Sequence, residues 1–331
     1  MSSTADKSLT PKKLLTPENI IYVGIGWGVV ALLFFLLFSV NAPGEESPFW
    51  YLFGTYILEC LPFLAAALLC FRNWRSPQIA SGKMVWLLIG LGMTCYFLGG
   101  ILFGLWELYF KIDPMVSPAD FFYITFYILL GWGMLLAVLP RRLNLELWQW
   151  ATIGVIALAG IALAVWITII IPKQSVTSEV INSAPVAQQF ESAPPAETSA
   201  PVIATSKASE NNAVPGWVMK TDNFLNQFLR PVNFFYVVAD VVLLIVASTL
   251  LLAFWGGKFA QSWRMIAAAT LSLYVADMWY KYAATLPTEY ESGGFLEVFF
   301  IFSGVLFTIG AALEYDISSS RSGRSRRRRG S

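Results

Sequence analysis

Eight stretches of this chain are long and apolar enough to cross a bilayer, and that recurrence fixes most of what it can fold into. They lie near residues 20–40, 50–71, 84–105, 121–139, 148–171, 234–255, 263–284 and 295–313. Each approaches the ~20 residues that a helix needs to traverse a hydrocarbon core of ~30 Å. That core has no water to satisfy backbone groups, so each segment must bond to itself, as a helix does. The expected fold class is all-α: a polytopic membrane protein with eight transmembrane helices. Hydrophobic residues make up 56% of the chain and charged residues 13%, against about 25% charged in soluble domains. A soluble globular fold and a disordered chain are thereby excluded.

The chain contains no histidine. His-ligated haem or zinc, His-based triads and a histidine pH switch are therefore absent. Cys60, Cys70 and Cys95 all lie inside apolar runs. They read as small hydrophobes, not as a disulfide framework or metal ligands. No nucleophile–base pair, phosphate loop or metal-ligand cluster stands out, so no catalytic residue, metal or cofactor is expected. With 22 basic and 21 acidic residues the net charge is +1, and no nucleic-acid partner is expected.

Basic residues mark one side of the membrane. They are Lys7, Lys12 and Lys13, then Arg72, Arg75 and Lys83, then Arg141 and Arg142, then Lys258 and Arg264, and finally Arg321, Arg324, Arg326, Arg327, Arg328 and Arg329. The alternate loops carry Glu45 and Glu46, Lys111 and Asp113, and Glu289 and Glu291. Both termini are expected to be cytoplasmic, in a bacterial inner or internal membrane. Residues 1–19 read as a cytoplasmic segment, not a cleaved signal peptide. Thr16-Pro17 has the form of an N-cap followed by proline in the first turn.

Residues 172–216, rich in Ser, Ala and Pro, read as a disordered external linker. Residues 217–230 place Trp217, Val218, Phe224, Leu225, Phe228 and Leu229 on one helical face. They predict a short amphipathic helix on the membrane surface, ending before Pro231. The rest divides into a first four-helix half (20–140), a fifth span with its preceding loop (141–171), spans six to eight (231–314) and a basic cytoplasmic tail (315–331).

Shifting the chain by 177 residues aligns spans two to four with six to eight, without a gap from Trp86 onward. Trp86 meets Trp263, Asp120 meets Glu297, and Phe122, Ile124, Leu129 and Gly133 meet Phe299, Ile301, Leu306 and Gly310. With spans one and five added, this reads as two parallel four-helix halves.

Ionisable groups within spans are functional suspects because their desolvation is expensive. Here they are Glu59, Glu107, Asp120, Asp240, Asp277, Lys281 and Glu297. All but mid-span Glu59 gather in the outer half. If their faces converge, they line a polar cavity open to the outside, or an ion pathway. Plainer readings exist for several. Ser117-Pro118-Ala119-Asp120 is a capping box, and Glu297 has the same relation to span eight. Glu107 suits the headgroup region. Asp277 and Lys281, four apart, can neutralise each other. Glu59 and Asp240 have no local cationic partner. Trp106, Tyr109, Phe110, Phe121, Phe122, Tyr123, Trp279, Tyr280 and Tyr282 suit an interfacial aromatic belt. Gly90, Gly92, Gly99, Gly100 and Ala267–Ala269 suggest tight helix packing. The tail arginines Arg324, Arg326, Arg327, Arg328 and Arg329 are expected to attract anionic lipid or a partner protein.

The run from Trp86 through Gly99-Gly100, Ser117-Pro118-Ala119-Asp120-Phe121-Phe122-Tyr123, Phe234-Phe235-Tyr236, Asp240 and Trp263-Arg264 to Ala276-Asp277 resembles the multi-helix sensory input regions of bacterial membrane-bound diguanylate cyclases and histidine kinases. The resemblance implies a sensory fold that passes an external or membrane cue to a cytoplasmic output. Only 17 residues follow Glu314, so the output would reside in a separate partner. The expectation is a non-enzymatic sensor-like or accessory subunit with an outward polar cavity, a membrane or cytoplasmic protein partner and lipid contacts. The rival readings are a small transporter or proton/cation pathway, and a structural or assembly subunit of a larger complex.

Overall fold

A computed structural model describes residues 16–40, 47–112, 114, 116–139, 145–167, 214–254, 260–283 and 292–329. Among these residues there is no strand. Eight long helices follow in order: α1 (Pro17–Phe38), α2 (Phe49–Arg75), α3 (Lys83–Gly104), α4 (Ala119–Val138), α5 (Leu147–Val165), α7 (Leu229–Ala253), α8 (Ala260–Ala283) and α9 (Val298–Arg329), with a short α6 (Gly216–Leu225) before α7. Residues 168–213, which hold all but the last three positions of the predicted linker, lie outside the described residues. So do most of the loop charges on which the orientation rests.

Taking α6 and α7 as one segment, seven helices are long and apolar enough to cross a membrane. The exception is α8, which carries Arg264, Asp277 and Lys281. It is packed between α7 and α9, so its polar face meets protein instead of lipid. The protein is a multi-pass helical membrane protein.

Six helices close a ring, each packed on the next: α2, α3, α4, α7, α8, α9 and back to α2. Small residues set the crossings. A Cβ on Gly92 would touch the Phe126 carbonyl and Leu130 amide of α4 at 3.5 Å. Gly90 faces Cys70 and Phe71 of α2. The 177-residue repeat reappears atom for atom at one crossing. A Cβ on Gly133 would lie 2.9 Å from Ile89 Cγ1 and 3.3 Å from the Val85 carbonyl. A Cβ on Gly310 would lie 2.9 Å from Ile266 Cγ1 and 3.2 Å from the Ser262 carbonyl. All three pairs are related by the same shift.

The repeat does not extend to the outer helices. α1 lies on α9 through Gly24, Gly28, Ala31 and Phe35. Its counterpart α5 lies mainly on α7, not on α4. Gly160 meets Leu244 there, and the Tyr274 hydroxyl donates to the Gly160 carbonyl at 3.0 Å. The symmetry is thus three plus three, with two unequal additions, and the four-plus-four reading is corrected.

Local chemistry explains the ends. Thr16 Oγ1 accepts from the Asn19 amide at 3.3 Å, with Pro17 in the first turn. The amphipathic segment forms the short helix α6, which ends at Leu225 and leads through a tight turn, Asn226–Phe228, directly into α7. Pro231 lies in the first turn of α7, where no intrahelical N–H is needed. Val218 is buried, while Trp217, Phe224 and Phe228 are exposed. α9 runs on through the basic tail and stays helical to Arg329. The side chains of residues 321–331, including all the tail arginines, lie outside the described residues.

Candidate functional site

The ring is solid at one end and hollow at the other. At the end bearing Arg72, Lys83 and Arg264, the axis is plugged by Trp86 and Trp263, each almost wholly buried, with ring centroids 6.1 Å apart. Phe254 stacks on Trp263 at 5.3 Å. Ile89, Met93, Leu130 and Met134 continue the packed core upward.

Above this plug lies a cavity of about 170 Å³. All six ring helices contribute to its wall. Glu59 and Tyr56 come from α2, Tyr96 from α3, Asp120, Tyr123 and Tyr127 from α4, Tyr236 from α7, Asp277, Tyr280 and Lys281 from α8, and Phe300 from α9. Pro114 of the α3–α4 connection and Ser292 and Glu297 of the α8–α9 connection also line it, so it faces that end of the bundle.

The seven ionisable residues singled out in the sequence all gather here. Five line the cavity: Glu59, Asp120, Asp277, Lys281 and Glu297. Asp240 and Glu107 sit one contact behind. Asp240 lies eleven residues after Leu229, about 16 Å along the α7 axis. Lys281 Nζ donates to Asp240 Oδ2 at 2.7 Å, with side-chain exposures of 16% and 1%. Lysine and aspartate therefore pair across two helices, in addition to the neighbour Asp277 four residues away that the sequence offers. Asp277 lies close enough for the Lys281 charge to act on it too. An unpaired charge at this depth would cost several kcal/mol, so the pairing explains how Asp240 is tolerated.

Tyrosine hydroxyls hold the other carboxylates. Tyr127 donates to Asp240 Oδ1 at 2.5 Å, and its oxygen also contacts Asp277 Oδ2. A phenol carries one proton, so it donates to one carboxylate at a time. The second contact is completed only when a carboxyl carries a proton. Tyr96 donates to Glu59 Oε1 at 2.7 Å. Tyr56 donates to Glu107, which sits in a π-helical turn, Leu105–Tyr109, at the end of α3.

Asp120 does two things. Its Oδ2 accepts from the Ser117 amide at 2.7 Å as a helix cap, and its Oδ1 accepts from Tyr236 at 2.7 Å. Glu297 caps its own helix similarly, accepting from the Gly294 amide at 3.1 Å and the Gly293 amide at 2.9 Å. Gly293 has φ +96°, and a Cβ there would collide with the ring of Tyr51. The Tyr51 hydroxyl donates to the Gly293 carbonyl and ties this connection to α2.

The tyrosines of the wall are the part of the site least evident from the sequence. Tyr123 and Tyr280 read in the sequence as part of an interfacial belt, Tyr236 enters only through the family resemblance, and Tyr56, Tyr96 and Tyr127 carry no signal of their own there. A usable signal was present: Tyr123 and Tyr127 are four apart and share a face of α4. Tyr109 and Phe121 are exposed, as a belt requires. Trp106 is buried against Trp217, with centroids 5.9 Å apart.

The exit of α9 is anchored at the plugged end. Ser81 Oγ donates to Glu314 Oε1 at 2.7 Å and accepts from Trp86 Nε1 at 2.6 Å. Asn73 Nδ2 donates to the Ala311 carbonyl at 2.9 Å, and the Ala80 amide donates to Ser318 Oγ at 3.3 Å. The Arg72 guanidinium lies 4.1 Å above the Tyr315 ring.

No family model, curated protein or solved structure matches this chain.

Proposed function

We propose that this protein is a non-enzymatic, sensor-like or accessory membrane subunit. Its outward cavity takes a small ligand, and it works through a protein partner on the cytoplasmic side. One observation carries this reading: a single unbroken helix joins the cavity to the basic tail. α9 has 32 residues, about 48 Å at a rise of 1.5 Å per residue. A bilayer core needs only ~30 Å of that. Phe300 lies in the cavity wall near one end of this helix, and Arg329 ends the other. A rigid helix of this kind carries a displacement at the cavity to a partner bound at the tail.

The test is affinity purification in mild detergent, comparing the full chain with a deletion of 321–331. The cut spares Ser318, which is buried and bonded to Ala80. The expected result is a stoichiometric partner that is lost with the tail. A solitary protein in both preparations would contradict the reading. A transport role rests on a different observation, the buried Asp240–Lys281 pair beside Asp277. It predicts ion flux into vesicles that disappears in Asp240→Asn and Glu59→Gln. The Trp86–Trp263 plug below the cavity favours a binding chamber over a pathway.

A further inference from the structure

We infer that the cavity is built for a small organic cation, an alkylammonium; this rests on the reading of the cavity as a ligand chamber. Three independent features of the wall point to that chemistry.

The first is charge. Among the described lining residues, Glu59, Asp120, Asp277 and Glu297 are acidic and Lys281 is the basic one. Lys281 is already engaged with Asp240. Glu59 accepts its hydrogen bond from Tyr96 and Asp120 accepts from Tyr236 and Ser117, all neutral donors. Carboxyl groups thus outnumber the ammonium in this wall, and each one that is ionised attracts a cation and repels an anion.

The second is the tyrosine wall. Tyr56, Tyr96, Tyr123, Tyr127, Tyr236 and Tyr280 all line the space. Aromatic faces with negative quadrupoles are what cage an alkylammonium, particularly where water is displaced. Lone metal cations would instead demand several converging oxygen ligands, and no group of three or more metal-binding side chains is assembled among the described residues.

The third is an occupant that the protein supplies itself. The Lys281 ammonium lies 2.7 Å from Asp240 Oδ2 and 5.8 Å from the centre of the Tyr236 ring. The wall thus already holds one alkylammonium between a carboxylate and a tyrosine face. The neighbouring wall again sets a carboxyl group beside tyrosines: Glu59 accepts from Tyr96, and the Tyr123 ring lies 5.3 Å from that of Tyr96, whose own face stacks on Phe63. An apolar cavity of ~150 Å³ accepts benzene. A volume of about 170 Å³ therefore suits a ligand of comparable size.

The test uses the full chain in detergent and three probes: choline, its uncharged carbon isostere 3,3-dimethylbutan-1-ol, and acetate. Thermal unfolding is followed as each probe is titrated. Choline is expected to raise the midpoint saturably, while the isostere and acetate do not. In Glu59→Gln, whose amide oxygen can still accept from Tyr96, the half-saturating choline concentration is expected to rise at least about tenfold, as for loss of one charge-assisted contact. Asp277→Asn is the second variant and is expected to act in the same direction. If the isostere or acetate binds as well as choline, and Ser292→Trp at the cavity rim abolishes that binding, the cation preference is overturned while the chamber reading stands. If none of the three binds, the inference is overturned, and the co-purification experiment decides the broader reading separately.

Discussion

The two halves of the ring share a scaffold and divide the chemistry. Helices α3–α4 and α8–α9 cross through equivalent glycines, Gly133 and Gly310, seated on equivalent isoleucines, Ile89 and Ile266. Both halves begin their last helix with a carboxylate bonded to the amide three residues back, at Asp120 and Glu297. Apart from that capping pair, which lines the cavity in both halves, the acidic and basic groups of the cavity do not repeat. Under the same shift, Asp277 and Lys281 correspond to Gly100 and Gly104, and Tyr127 corresponds to Gly304. The glycines have their own use. A Cβ on Gly104 would press on the Tyr56 ring at 3.2 Å, and one on Gly100 would meet Cys60 at 2.8 Å. The second half thus supplies the Lys281–Asp240 pair and Asp277, while Gly104 of the first leaves room for the Tyr56 ring. Packing at the helix crossings holds the symmetry, and the cavity wall departs from it.

The largest expected effect breaks the buried ion pair of the second half. Asp240→Ala leaves Lys281 without its carboxylate and is expected to cost about 3–5 kcal/mol, read from denaturant unfolding in micelles. The double variant Asp240→Leu/Lys281→Met removes both charges and is expected to recover most of that loss. If the double variant is no better than the single one, the pair is not the reason for the loss.

Next comes the group that spans both halves. Tyr127→Phe removes the hydroxyl between Asp240 and Asp277 and is expected to cost about 1.5–3 kcal/mol, the range for hydrogen bonds to charged groups. An unchanged unfolding midpoint would show that the phenol adds nothing to the fold.

The shared scaffold predicts equality. Gly133→Ala and Gly310→Ala each force a methyl into an isoleucine and a backbone carbonyl, and each is expected to cost about 1–3 kcal/mol. Unequal losses would show that the two crossings are similar in geometry but not in stiffness.

The caps give the smallest effect and the finest comparison. Removing either capping carboxylate is expected to cost about 0.5–2 kcal/mol. Asp120→Ala is expected to exceed Glu297→Ala because Asp120 also holds Tyr236 across the ring. The reverse order would place the more important contact at Glu297.

The sequence carried the architecture because bilayer thickness sets a length that apolar runs cannot hide. It also carried the acidic and basic members of the site, since each stands out against an apolar background. It did not carry their pairing. Lys281 has Asp277 four residues away, and local spacing favours that neighbour, yet the bond goes to Asp240, 41 residues distant on another helix. That choice depends on how α7 and α8 rotate against each other. The tyrosines were hidden for the opposite reason: a tyrosine near a membrane edge is ordinary, and only the ring closure turns Tyr123 and Tyr280 inward. The long α9 was missed because the apolar period stops near residue 313. The helix continues because arginine is a good helix former and no proline follows. The outer helices α1 and α5 broke the symmetry because their positions depend on which groove offers small residues, Gly24 and Gly28 in one case and Gly160 in the other.

The account turns on an acidic chamber that opens at the end of the ring opposite the Trp86–Trp263 plug. Thr55 of α2 and Ser292 both line the cavity, and the decisive measurement introduces Ser292→Cys and, separately, Thr55→Cys with the native cysteines replaced by alanine. Each variant is then reacted, in sealed vesicles of known orientation, with two membrane-impermeant thiosulfonates, one bearing a trimethylammonium group and one a sulfonate. Reaction is expected from the side facing the α8–α9 connection, faster with the cationic reagent, and slowed by choline. Reaction only from the plugged side, or faster reaction with the sulfonate, would contradict it.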